Sequence, residues 1–431
     1  MDGRGGYRRL VIPLEEAQAF VAAALPKPVA EVTPIGAALG RVLAAAVVAA
    51  DAVPPFANSG MDGFAVVAAD TAGASADDPV RLEVVGTIAA GAPPSPSVTS
   101  GQAVRIMTGA PVPPGADAVV MVERTRPLDG GEAVAIETGV AAGTSVRRAG
   151  EDVRPGDVVA PAAAMLTPAR LGVLANVGAV AVNSFRLPRV GVLSTGDELV
   201  DGGRPLGPGQ IRESNRPMLL ALVAEAGCQP VDLGCVADDA AAITEALERG
   251  VDICDAVLSS GGVSMGDFDL VKVVLDELGD MRWMQIAIKP AKPFAFGTVG
   301  TTPVFGLPGN PVSSLVSFEL LARPALRAMA GHPPSRRERP VVRAAVPDGL
   351  RRRPDGKVHY VRVVLSRVVG ESGFVAHSVV AQGSHQLTAT AAANGLAVLA
   401  DGTGAAPGGS VDVLVLDPTS ALAPSPADLC G

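Results

Sequence analysis

Three short stretches of this 431-residue chain place acids where an apolar run gives way to small residues. LSTGDEL (193–199) holds Glu198, CVADD (235–239) holds Asp238, and LSSGGVSMGDFD (258–269) holds Asp267 and Asp269. Carboxylates gathered around one pocket suit a hard divalent cation such as magnesium, which takes oxygen ligands and often bridges one or two carboxylates to phosphate. Glu198, Asp238 and Asp269 are the candidate metal set; the same acids would also serve as caps on the helices that follow. In the third stretch Ser260, Gly261, Gly262 and Ser264 make a bare turn. Its backbone can approach a ligand closely and its amides can face an anion, although close packing alone also asks for such a turn.

Positive charge and a rigid corner follow. In AIKPAKPFAFG (287–297), an extended Pro-rich conformation of about three residues per turn projects Lys289 and Lys292 to one side, where they could hold phosphate or another oxyanion. GLPGNPVSS (306–314) sets Pro308 and Pro311 around a Gly-Asn turn at a helix start, a second set of amides open to an anion. Asp62 in NSGMDGFAV and Asp152 in RRAGEDVRPGD sit among turn formers, where an Asx-turn role is the alternative to a site role.

These residues need elements to position them. LEEAQAFVAAAL (14–25) reads as a short helix stopped by PKP. From about 57 to 150 the texture is one of short valine-rich runs broken by Gly and Pro, the pattern of a small β-rich domain. Between 188 and 332 strands and helices alternate: RVGVLSTG, NRPMLLALVAEAG, QPVDLGCVADD, AAITEALERG, CDAVLSSGG and DLVKVVLDELG, then a hairpin in PFAFGTVGTTPVFGLPG and a helix over SSLVSFELLARPAL. That order implies a doubly wound, mostly parallel sheet covered by helices on both faces, with a ligand crevice at the carboxyl ends of its strands. After PPSRRERP short strands return, as in a separate C-terminal β domain.

Composition narrows the classes. The chain is 48% hydrophobic but only 3% aromatic, with 50 Gly and 37 Pro, so Ala, Val and Leu fill the core and turns are frequent. A formal charge of −9 argues against nucleic acid as a partner. Between Ser335 and Arg367 ten Lys/Arg face three Asp/Glu, either an anion-attracting face or a solvated basic surface. The four cysteines form no CxxC pair, so zinc and a disulfide framework are not expected and a cytoplasmic setting fits. No run reaches the roughly 18 apolar residues of a membrane span.

Taken in order, NSGMDGFAV, RIMTGAPVPPGADAVV, GEDV, STGDEL, SGGVSMGDFD, IKPAKPFAFG and GLPGNPVSS resemble the motif series of the MoeA-type molybdopterin molybdenumtransferases, the family of gephyrin's C-terminal domain. The resemblance implies an elongated, multi-domain homodimer: an N-terminal linker and dimerisation domain (7–56 with 151–187), a small β-rich domain (57–150), an α/β domain of molybdopterin-binding type (188–332) and a C-terminal β-barrel-like domain (336–431). It implies insertion of molybdate into adenylylated molybdopterin with release of AMP, supported by Mg2+. The upstream partner would be a molybdopterin adenylyltransferase, and molybdoenzymes or their chaperones the acceptors. By the same resemblance Asp62, Asp152, Glu198, Asp238, Asp269, Lys289 and Lys292 would be catalytic. Thr108 of RIMTGA, Thr195, Gly196, Ser260, Gly261, Gly262, Ser264, Pro308, Pro311, Arg362 of HYVRVVL and Ser384 of QGSHQL would bind the pterin substrate. The partner subunit's MDG region is expected to help complete the pocket. Two departures stand out: Ala291 replaces a usual glycine, and Gln285 stands where some members carry lysine. The rival readings are an adenylyltransferase-like enzyme and a non-catalytic cofactor carrier or scaffold.

Overall fold

The computed structural model describes residues 11–263, 270–367 and 373–421. Two compact units emerge: one takes the segment up to Glu31, Gly40–Ala44 and the chain from Asn183 onward, the other Val32–Leu39 and Ala45–Val182. The second unit is built on a six-stranded sheet in the order 118–121, 63–66, 102–106, 80–88, 133–136, 125–128. Phe64, Val66, Leu82, Val120, Val134 and Ile136 form one of its cores. A helix over Pro168–Asn176, capped by the Thr167 side chain, was not foreseen; Gly172 in its middle hides it from a propensity reading.

In the first unit a seven-stranded sheet runs in the order 11–12, 280–286, 293–299, 302–307, 256–260, 189–195, 229–236. Strand 293–299 is antiparallel to both neighbours and the other pairs are parallel, so the mostly parallel reading holds. All five residues of Ala256–Ser260 are buried, as befits a strand covered on both faces. Helix Ala240–Ile253 starts where Asp239 accepts from the Ala242 N–H at 2.9 Å, and buries Ile243, Ala246, Leu247 and Gly250, a one-sided helical stripe. The helix after strand 302–307 runs Pro311–Ser317, passes through a π turn over Phe318–Ala322, and continues as Arg323–Met329.

Strand Asp280–Ile286 was missed from the sequence, because DMRWMQI mixes charges with apolar residues and shows no clean alternation. Strands 358–367, 374–378, 341–346, 409–415 and 395–399 close on one another as a five-stranded barrel, with Ile288–Lys289 added alongside Val358–His359. The expected C-terminal β-barrel is therefore present. Among the described residues no helix is long and apolar enough to cross a membrane.

Candidate functional site

Strand 189–195 lies between strand 229–236, which follows it in the chain, and strand 256–260, which comes after both. The winding direction reverses between Thr195 and Ser260, and an α/β sheet of this kind holds its crevice at such a point. A cleft of about 700 Å³ opens there, lined by Thr195, Gly196, Glu198, Asp238, Ser260, Gly261, Gly262 and Pro308 among others. Eight of the sequence candidates thus line one cleft. A smaller cavity of about 150 Å³, beside Arg186, Pro188 and Asp255, lies at the amino ends of the strands and outside this crevice.

Each loop has a local cause. Gly196 takes φ +149°, a conformation that side chains rarely adopt, and the Glu198 carboxylate folds back over it, 2.6 Å from where a Cβ would stand. Gly262 has φ +72° and a Cβ would meet Val271 at 2.2 Å. Packing on helix Leu270–Leu278 therefore accounts for Gly262 without a ligand, whereas Gly261, at φ +99°, has only Thr195 atoms beyond 3 Å as neighbours. Asp238 donates its backbone N–H to Asp197 Oδ1 at 3.0 Å. Partial burial, and then the negative charges of Asp197 and Glu198, push the Asp238 carboxyl above its ordinary value. A cation would relieve that repulsion, so the donor chemistry fits a hard divalent ion. Among the described residues no three His, Cys, Asp or Glu side chains are arranged to hold one; Asp269, the third expected ligand, lies outside the described residues, as do Asp267 and Ser264.

The remaining candidates are placed elsewhere. Lys289 borders a separate cavity of about 570 Å³ with Arg351, Arg352, Arg353, Asp355 and His359. Lys292 is exposed, just before strand 293–299. The extended conformation expected for this stretch is not adopted: Ala291 has φ +75°, in the left-handed region, so Lys289 and Lys292 are not related by a polyproline repeat. Arg362 is 1% exposed, and its guanidinium donates to the Gln386 carbonyl, the Thr390 hydroxyl and the Gly383 carbonyl. These bonds brace the 383–390 turn, and the Ser384 carbonyl in that turn accepts from the Val312 N–H at the start of the helix that opens at Pro311.

The basic face is also smaller than its count suggests. Arg339, Arg343, Arg352 and Lys357 are ion-paired within their unit. In the other unit Asp62 Oδ1 accepts from both the Thr108 N–H and its hydroxyl at 2.7 Å. These bonds, the backbone one first, hold the Asp62 carboxyl below its ordinary value and commit the Thr108 hydroxyl hydrogen to it. Asp152 is exposed and anchored by its N–H on the Val53 carbonyl.

Family models match in succession: the MoeA N-terminal region (domain I and II) over residues 12–178, a probable molybdopterin binding domain over 191–328, and the MoeA C-terminal region (domain IV) over 347–416. The molybdopterin molybdenumtransferase 2 of Mycobacterium tuberculosis is 41% identical over 373 residues, 84% of this chain and 89% of that one. The chain belongs to the MoeA family of molybdopterin molybdenumtransferases. Another member, the molybdopterin molybdenumtransferase of Haemophilus influenzae, is 37% identical over 391 residues, covering 90% of this chain and 94% of its own. The solved moeA protein of Pyrococcus horikoshii OT3 superposes with a TM-score of 0.77 at 29% identity, over 94% of this chain and all of that one.

Within this MoeA-type cleft the sequence reading missed Asn215 and Ile211, which line it together with Gly309 and Asn310 of the expected Gly-Asn turn. The signal was there in IRESN: an Asn at the first position of the helix that crosses the switch point is placed to reach neighbouring strand ends.

Proposed function

We propose that the chain inserts molybdate into adenylylated molybdopterin and releases AMP. The single observation that carries the reading is the cleft at the switch point, with its small-residue turns and its carboxylates, in a chain of this family. The Ser260 hydroxyl would hold a phosphate oxygen, Gly261 would let the backbone approach closely with its own N–H bonded to the Leu307 carbonyl, and Pro308 and Thr195 would shape the walls. Lys289 and Lys292 would attract molybdate. Glu198, Asp238 and Asp269 would hold Mg2+, which when bound supplies charge neutralisation on the phosphate oxygens. In the reaction water adds to the phosphorus of the pterin phosphate as its P–O bond to AMP breaks and the electron pair leaves with AMP; the two dithiolene sulfurs bind the molybdenum of molybdate, and one molybdate oxygen departs as water with the two thiol protons. Asp62, Asp152 and Thr108 take their roles from the resemblance alone. In the same reading the chain works as a cytoplasmic homodimer between a molybdopterin adenylyltransferase and molybdoenzymes or their chaperones.

The test is AMP release and dithiolene-bound molybdenum after mixing purified protein with adenylylated molybdopterin, molybdate and magnesium, beside the Asp269→Asn variant. Release that needs molybdate and is lost in the variant supports the proposal. Retention of the pterin without release by either protein favours a carrier, and ATP-dependent adenylylation of molybdopterin favours the adenylyltransferase-like alternative.

A further inference from the structure

Asn215 opens helix Asn215–Glu225 and is 8% exposed. Its Nδ2 donates to the Ser260 hydroxyl oxygen at 2.9 Å and to the Gly309 carbonyl at 2.7 Å. A carbonyl can only accept, so the amide's orientation is fixed and both of its hydrogens are spent on these two loops. The Ser260 oxygen accepts one of them, which leaves the serine's own hydrogen for another acceptor. Ser260 and Gly309 both line the cleft.

Asn215 is itself held in place. Its N–H donates to Glu213 Oε1 at 2.7 Å, and Glu213 Oε2 accepts from the Ser194 hydroxyl at 3.0 Å. A polar chain therefore runs from strand 189–195, through Glu213 and Asn215, to the end of strand 256–260 and the turn after strand 302–307. Asn215 Oδ1 is closed to solvent and has no hydrogen-bond partner among the described residues. A buried acceptor left unmade works against stability and offsets part of what the two donated bonds contribute.

We infer that Asn215 is a positioning residue for the phosphate subsite of the cleft and acts through Ser260. By donating to the Ser260 oxygen it directs the hydroxyl hydrogen to a phosphate oxygen of the substrate, and by holding Gly309 it sets the opposite wall at a fixed spacing. The inference rests on the function proposed above.

Asn215→Asp keeps the size but replaces the donor with an acceptor, which draws the Ser260 hydrogen to itself. Titration calorimetry of the full chain with adenylylated molybdopterin should give a loss of about tenfold or more in affinity for Asn215→Asp and for Ser260→Ala, the loss of one hydrogen bond to a charged group. The double variant should bind no more weakly than the worse single variant. With dephosphorylated molybdopterin the three should match the wild type. Additive losses, or an Asn215→Asp protein that binds like the wild type, overturn the inference. If Asn215→Asp does not fold, Ser260→Ala decides alone: unchanged affinity overturns the inference, and a loss confined to the phosphorylated ligand supports it. A wild type that binds no adenylylated molybdopterin overturns this inference and the function beneath it together. AMP release that is indifferent to Ser260 overturns only this one.

Discussion

Arg339 joins Glu225, the last residue of helix Asn215–Glu225, to Glu319 in the π turn of the helix that opens at Pro311. Its guanidinium bonds both oxygens of Glu319 at 2.8 Å, and Glu225 at 2.6 Å. Burial works against its charge, but the bonds to Glu319 and Glu225 outweigh it and hold Arg339 above the ordinary arginine range. The side chains of Arg339 and Glu319 are 6% and 1% exposed. Arg339→Ala leaves the Glu319 carboxylate buried with Arg323 Nε at 3.7 Å as its remaining ion-pair neighbour. Breaking one side of a buried pair costs roughly 3–5 kcal/mol. Burial, and then the nearby Arg339 charge, pull Arg323 down to about 10, so removing Arg339 relieves some repulsion and favours the low end, about 3 kcal/mol. At roughly 2 °C per kcal/mol for a body of this size, the melting midpoint should fall by about 6 °C. Trp283, the chain's one tryptophan, lies in the same unit and reports its unfolding by fluorescence. Arg343→Ala is the control: its pair with Asp412 is 62% and 56% exposed and worth about 0–1 kcal/mol. Equal midpoints for Arg339→Ala and Arg343→Ala would refute the reasoning.

Three further outcomes are expected. Thr108→Val removes the hydroxyl donor but keeps the N–H, so the Asp62 carboxyl should rise partway towards its ordinary value in a 13C carboxyl titration; an unmoved titration contradicts the assigned cause. Asp62's depressed value contributes stability above its unfolded value and loses it as pH falls through the folded one, so the variant should lose that contribution at a higher pH. Asp238 has the opposite sign: its raised value favours the protonated form, present at low pH and lost as pH rises through the folded value. Magnesium should accordingly bind more tightly as pH rises through the acid range with proton release, and Asp238→Asn should abolish that release in calorimetry run in two buffers; undiminished release in the variant rejects the assignment. Ala291→Gly trades relief of a positive φ, about 1–2 kcal/mol, against a buried methyl worth about 0.8 kcal/mol, so its stability should change by less than about 1 kcal/mol while Ala291→Val falls by more than 2. A large loss in the glycine variant, read by urea denaturation, would contradict the backbone account.

Residues that obey one local rule were legible from the sequence. AVLSS reads as a buried strand because helices are expected on both faces, and all five of its residues are buried. The convergence of Glu198, Asp238 and Ser260 followed from topology alone, since parallel strands deliver their carboxyl ends to one edge. The polyproline spacing expected for Lys289 and Lys292 fails because a positive φ at a non-glycine residue is set by tertiary packing, which a composition-based reading of KPAKP does not contain. The partners of Arg362 were illegible for a related reason: the three oxygens that take its guanidinium hydrogens lie 21 to 28 residues further along the chain and are brought to it by the fold. Asn215 escaped notice because its partners lie 45 and 94 residues away along the chain.

The two-residue ladder between Ile288–Lys289 and Val358–His359 has a mechanical consequence. Strand Asp280–Ile286 belongs to the large sheet, yet three residues after it Lys289 is stitched to the barrel. A tilt of the barrel against the sheet would therefore haul the lysine along or unzip the stitch, much as a hem follows the cloth it is sewn to. The spacing between this cation and the carboxylates of the cleft is thus tied to the posture of the barrel.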